Sequence, residues 1–239
     1  PPPPPPRPGA TVELAVAALL ISVVIGLTLG IVAALRPGSP VDIAAMLFAQ
    51  LGVSMPVYWS GVLLVMFFAV QMGVLPSIGR GEPFHQAFWA LLTGNPAPIL
   101  DSLSHIILPA VALGANSAAI ISRLVRATML EVLGEDYVRT AKAKGLLPAR
   151  VVIGHALRNA MLPIISVIGL RFGMLLSSSI VTETIFAWPG LGQLTINAIG
   201  QRDFPLIQGI ILTFGIIYAL INLVVDICYA VFDPRVRQA

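Results

Sequence analysis

Charge is scarce in this chain. Asp, Glu, Lys and Arg make up 10% of its 239 residues, against 57% hydrophobic residues. A charge inside an apolar run is therefore the first candidate for chemistry. Arg171 interrupts one such run and Asp226 another. A lone charge near a bilayer centre costs about 2.5 to 3.5 kcal/mol on insertion scales, so it calls for a partner or a wet pathway. Counted at about 1.5 Å per residue from the nearer ends of their helices, both lie at similar depth, which permits an Arg171–Asp226 ion pair. The rival reading has Arg171 lining a pathway and Asp226 snorkelling to the interface. Ser177, Ser178 and Ser179 form a small polar patch. Such residues allow close helix approach or line a narrow path, or they bond their own i−4 carbonyls. Asn116 and Asn222 read as packing glue or pathway. Asn116, Arg171 and Ser178 are the candidates for lining a polar pathway.

Other chemistries find no support. His85, His105 and His155 are scattered over different connections, and neither HExxH nor another ligand spacing occurs, so no metal site is expected. The single cysteine, Cys228, excludes a disulfide framework or a thiolate cluster. There is no GxxxxGK[ST] to cradle phosphate. No nucleophile is spaced with a base, so the chain is not read as an enzyme.

The elements that must hold these residues follow from solvation. Soluble domains carry about 25% charged residues, and a soluble fold of this size could not hide so much apolar surface. The mean hydropathy of +0.91 points to a polytopic membrane protein. A crossing helix needs about 20 mostly apolar residues. The runs lack the alternation of a barrel, and helices satisfy their own backbone in lipid. The prediction is an all-α, polytopic protein with five crossings, at residues 11–35, 43–72, 104–128, 162–183 and 205–232. They lie in a transmembrane domain spanning 11–232, flanked by a Pro-rich external segment at 1–10 and a cytoplasmic tail at 233–239. Pro56 and Pro109 fall inside two crossings and are expected to bend them.

Basic residues set the orientation, because they concentrate in cytoplasmic connections. One set of connections holds Arg36, Arg123, Arg126, Arg139, Lys142, Lys144, Arg150, Arg158, Arg235 and Arg237; the opposite set holds only Arg7, Arg80 and Arg202. The first set is read as cytoplasmic, which puts the N-terminus outside. Pro1 to Pro6 has neither a basic n-region nor an apolar h-region and is no signal peptide. An upstream crossing is therefore expected, the alternative being a translocated Pro-rich tail.

The connection at about 131–160 is the one long cytoplasmic loop, and its composition is not that of a linker. Glu135 to Lys144 suits a helix, with Glu135 and Asp136 ahead of Lys142 and Lys144 as the macrodipole favours. Gly145 suits a left-handed C-cap, and Pro148 the first turn of a second helix. The result is a helix-turn-helix, either lying on anionic lipid or offered to a soluble partner. Outside, Trp188-Pro189-Gly190 is read as a turn, followed by a short amphipathic helix carrying Leu191, Leu194, Ala198 and Ile199. The other external loop, 80–101, is held to the interface by Phe84, Phe88 and Trp89.

These segments resemble a known family. RLVRATMLEVLGEDYVRTAKAKGL and HALRNAMLP, together with GIVAALRPGSPVD, ETIFAWPGLGQL, RDFPLIQG and the terminal DPRVR, are similar to binding-protein-dependent ABC importer permeases of the dipeptide/oligopeptide/nickel branch. The resemblance runs from Thr11 to Arg237. It implies a subunit that moves peptides or related solutes, such as nickel complexes, across a bacterial cytoplasmic membrane. The partners it implies are a second permease subunit, two cytosolic ATP-binding subunits, an extracytoplasmic substrate-binding protein and membrane lipid, with no nucleic acid. No cofactor is implied in this chain, ATP and Mg being bound by the ATPase subunits. The resemblance implies a six-crossing type whose first crossing would precede the region equivalent to Thr11, in line with the upstream crossing expected above. The family's loop is written EAA, three residues, Gly. Ala141 and Gly145 fit it, whereas Arg139 and Thr140 stand where Glu and Ala would be. The implied ATPase-coupling residues are Glu135, Tyr137, Val138, Ala141, Lys144, Gly145 and Leu146. The competing class is a secondary transporter or channel with no ATPase partner, which would more often show inverted repeats and broken helices.

Overall fold

A computed structural model describes residues 8–232, with side chains other than those of Leu162, Val225, Asp226 and residues 228–232. The regular structure of the described residues is all helical, with no strand among them. The helices are α1 (Pro8–Leu35), α2 (Pro40–Ser54), α3 (Val57–Leu64), α4 (Phe84–Leu92), α5 (Ala97–Leu133), α6 (Asp136–Ala143), α7 (Pro148–Arg150), α8 (Arg158–Ile185), α9 (Leu191–Gln201) and α10 (Phe204–Phe232). Short π-helical stretches, Val65–Gln71 and Val151–Leu157, extend α3 and join α7 to α8.

Among the described residues, four helices are long and apolar enough to cross a membrane, or five crossings if α2 and the α3 run count as one. That pair is bent by 109° at its break. The predicted single crossing at 43–72 is therefore two pieces hinged at Met55–Pro56. Proline lacks the donor and disfavours helical geometry at the preceding residue. Pro109 acts differently: α5 stays helical through it. α5 also extends well past the predicted 104–128 at both ends, because helix-forming residues continue beyond the apolar stretch.

The residues divide into two compact units, one comprising Pro1–Ile21, Met55–Ala115 and Phe172–Ile221, the other Ser22–Ser54, Asn116–Arg171 and Asn222–Ala239. In the first, Leu14, Ala18, Ile106, Leu113, Leu175 and Trp188 form a core among α1, α5, α8 and the turn after α8. In the second, Ala34, Ile121, Val125, Met129, Ala156 and Ile164 do the same. There α1 presents Gly26 and Gly30 to α5. A Cβ on Gly26 would lie 2.6 Å from Ile121 Cγ2, and one on Gly30 would lie 2.6 Å from Val125 Cβ and 2.7 Å from the Ser122 carbonyl oxygen. This GxxxG spacing lets two backbones meet where apolar association has no water to drive it.

Candidate functional site

The segment between α5 and α8 is built from local rules. α6 has Asp136 in its first turn and Lys142 in its last, which matches the helix dipole. It ends as helices do when a left-handed residue follows. Leu146 N–H donates to Ala141 O at 3.4 Å, Gly145 N–H donates to Lys142 O at 3.0 Å, and Gly145 has φ +74°. Nothing lies within 4 Å of where a Gly145 Cβ would be, so backbone conformation, not crowding, requires glycine here. Pro148 opens the next helical run with Leu147 at its N-cap.

The inner face of α6 is already occupied. Val138, Ala141 and Val151 form a small buried core, with Leu133 and Leu146 against it. Asn159 Nδ2 donates to the Tyr137 hydroxyl at 2.7 Å, tying α6 to α8. The predicted coupling residues therefore separate by face. Val138 and Ala141 point inward and hold α6 on its base, and Leu146 is half-buried beside them. Glu135, Tyr137, Lys144 and Gly145 are exposed, together with Arg139, Thr140 and Leu147, the last 73% exposed. Leu147 is an exposed apolar knob next to the polar outer residues of α6, and sequence reasoning passed over it because its spacing belongs to neither helix.

The predicted pathway residues lie in different units: Asn116 and Arg171 in one, Ser178 in the other. Asn116 and Arg171 are half-buried. Ser178 is exposed, yet its hydroxyl donates to Met174 O at 2.8 Å; Ser177 and Ser179 likewise donate to Gly173 O and Leu176 O. The reading in which these serines bond their own helix is thus the one seen. The proposed partner of Arg171, Asp226, lies outside the residues whose side chains are described. Among the described residues, no three His, Cys, Asp or Glu side chains converge as metal donors.

Three polar constellations emerge that the sequence reading did not assemble. Glu183, at the end of the fourth predicted crossing, is fully buried. Its Oε2 accepts the Gly192 and Gln193 N–H groups at 2.7 and 3.2 Å, so it caps α9 from the preceding helix. A Cβ on Gly190 would come within 2.3 Å of that carboxylate. Trp188 Nε1 donates to Ala10 O at 2.9 Å, and Leu191 N–H donates to Thr11 Oγ1 at 2.8 Å. The block ETIFAWPGLGQL is therefore a folded corner pinned to the start of α1. Beside it, Arg80 pairs with Glu13 and lies over the Trp188 ring at 5.7 Å, while Glu13 also accepts the Phe84 N–H at 2.8 Å. In the second unit, Arg126 grips Asp42 through Nε and Nη2, both at 2.6 Å. Only the Asp42 role had a sequence signal: Ser39-Pro40-Val41-Asp42 has the spacing of a helix-start capping motif.

With this geometry in place, comparison with known proteins is specific. Residues 26–238 match the family described as "Binding-protein-dependent transport system inner membrane component", and the chain belongs to that family. The chain is 46% identical to a di/tripeptide transport system permease protein, DppB, of Pseudomonas aeruginosa, over 96% of this chain and 70% of that protein. It is 44% identical to the dipeptide transport system permease DppB of Escherichia coli K12, over 96% of this chain and 71% of that protein. It is 41% identical to the glutathione transport system permease GsiC of Escherichia coli K12, over 95% and 68%. Among solved structures, a chain of the inward-facing MetNI methionine ABC transporter aligns with TM-score 0.72 and 19% identity, covering 94% of this chain and 93% of that one. An amino acid ABC transporter chain aligns with TM-score 0.59 and 17% identity, over 92% and 89%. These two share the fold, which is the all-α permease fold predicted.

Proposed function

We propose that this chain is a permease subunit of an ABC importer that carries dipeptides or related small peptides across the bacterial cytoplasmic membrane, with ATP hydrolysed on separate subunits. The observation that carries the reading is the family match over residues 26–238, joined to relatives named for di- and tripeptides at 44–46% identity over nearly the whole chain. A second permease, two cytosolic ATPases holding Mg and ATP, and an extracytoplasmic binding protein complete the machine. The chain itself performs no hydrolysis; it supplies a path and a handle.

The handle is α6. Its inner face is spent on Val151 and Leu133, so the ATPase meets the outer one: Tyr137, Lys144, Gly145 and the Leu147 knob, with Glu135 at the entry. Val138 and Ala141 act from behind by holding α6 to its base. Because α6 follows directly from α5 and rests on the start of the α8 run, a push on it is delivered to two long helices. Stiff helices carry such a displacement as rigid bodies, which suits alternating access. Asn116 and Arg171 remain the candidates for cargo contact, and Ser178 joins them only if its hydroxyl leaves Met174.

The test is reconstitution. The complete complex in vesicles should take up a labelled dipeptide only with ATP and the binding protein present, and the ATPases and sister permease should co-purify with this chain. Uptake by this chain alone, driven by an ion gradient, would place it among secondary transporters instead.

A further inference from the structure

The block GIVAALRPGSPVD contains a device that the functional reading leaves unused. Within the second unit, the turn from α1 to α2 is closed on itself. Ser39 Oγ donates to Arg36 O at 2.6 Å and accepts the Asp42 N–H at 3.3 Å, while Gly38 N–H donates to Asp42 Oδ2 at 2.9 Å. Asp42 thus orders its own elbow. Its side chain is only 4% exposed, yet it is not spent on the elbow alone: Arg126 of α5 grips both its oxygens, at 2.6 Å each. A second rung lies farther along α2, where Arg123 Nη1 donates to Gln50 Oε1 at 3.4 Å. Between them Ala45 and Ala49, on the same face of α2 as Asp42, are buried.

We infer that the Asp42–Arg126 ion pair is a coupling strut: it makes the α1–α2 elbow travel with the end of α5 that carries α6, so that Asp42 and Arg126 are positioning residues for transport. The inference rests on the importer reading and extends it.

Three physical points support this role over simple stabilisation. An ion pair in which the carboxylate is buried and the guanidinium is 29% exposed is weak evidence of stability, since its attraction is set against the lost hydration of the carboxylate and is screened at the arginine. A forked guanidinium–carboxylate pair fixes direction as well as distance, which a packed apolar contact does not. Placement completes the case. Arg126 sits on the stretch of α5 that runs on to Leu133, beyond which Gly134 and Glu135 lead straight into α6. Anything that moves α6 moves Arg126, and Arg126 holds the elbow. Without the fork, α5 and the α1 packed on it can shift while the elbow and α2 stay behind, and ATP is consumed without opening the path.

The experiment uses the full complex in vesicles, with Asp42→Asn, Arg126→Gln, the double variant and Arg126→Lys. Asp42→Asn keeps an acceptor for the Gly38 N–H. The readouts are subunit co-purification, melting temperature, ATP hydrolysis and peptide uptake per ATP. Wild-type complex in the same vesicles isolates the importer reading: if it shows no ATP-driven uptake, that reading fails independently of the strut. If it does, the single variants should assemble and hydrolyse ATP while uptake per ATP falls about fivefold or more, a typical coupling magnitude. The double variant should be no worse than either single one, and Arg126→Lys, with charge but no fork, should lie between. Unchanged uptake per ATP would overturn the strut. So would uptake and hydrolysis falling together in proportion to lost assembly or melting temperature, the mark of a merely structural pair. Should Asp42→Asn and Arg126→Gln fail to assemble, Arg126→Lys decides: full uptake per ATP refutes the role, and partial uptake with normal hydrolysis supports it.

Discussion

Gly145 shows how one residue can serve a machine by backbone conformation alone. Its φ of +74° is imposed by the way α6 ends, with Leu146 and Gly145 returning to carbonyls of that helix. A β-branched side chain in this region is strained by about 1 to 3 kcal/mol. No neighbour would be struck, so the strain is relieved by re-aiming the chain at 145–147. Gly145→Val should therefore fold and insert but misplace Leu147 and Lys144. In a pull-down the ATPases should be retained poorly, and substrate should no longer stimulate hydrolysis. Wild-type stimulation in this variant would remove α6 from the coupling role. Gly145 was legible in the sequence because the cap is local: the acidic start, the basic end and the glycine all lie on one short stretch. The division of α6 into faces was less so. Val138 and Ala141 look like docking residues until Val151 and Leu133 are seen filling the space beneath them.

Among elements, the contact of α1 with α5 depends on the absence of side chains. Gly26 and Gly30 let the helices approach so closely that a Cβ on Gly30 would overlap Val125 and the Ser122 carbonyl. The obstacle includes backbone, which a rotamer change cannot clear. Overpacking a fitted interface costs about 1 to 3 kcal/mol, and more when backbone must move. Gly30→Leu should lower the melting temperature of detergent-purified protein and reduce its amount in the membrane, whereas Gly9→Leu, with nothing near it, should leave both unchanged. Equal behaviour of the two would show that the close approach is dispensable. The elements themselves were largely readable, since a crossing is a matter of composition over a window. The exceptions have a common cause. Pro56 splits α2 from α3 and Pro109 leaves α5 intact, and whether a proline breaks a helix depends on whether neighbours hold the two halves in line.

At the scale of the whole molecule, the distribution of basic residues predicts a sidedness, and a direct test exists. In a Cys228→Ser background, Lys144→Cys should react with a membrane-permeant thiol reagent in intact cells and resist an impermeant one; Trp89→Cys should react with both. Labelling of Lys144→Cys from outside would invert the orientation and end the coupling account. What the sequence determined alone are the properties that depend on neighbours along the chain: the apolar crossings, the asymmetry of Lys and Arg, the caps of α6 and the family to which these blocks belong. Only the tertiary structure decided which charges meet. Glu13 finds Arg80, Asp42 finds Arg126, and Glu183 caps α9 across the Trp188 corner. The two ion pairs join residues 67 and 84 positions apart in the chain, so no local pattern announces them. They are needed because a charge withdrawn from water must be matched in place, and helix packing determines where that place is.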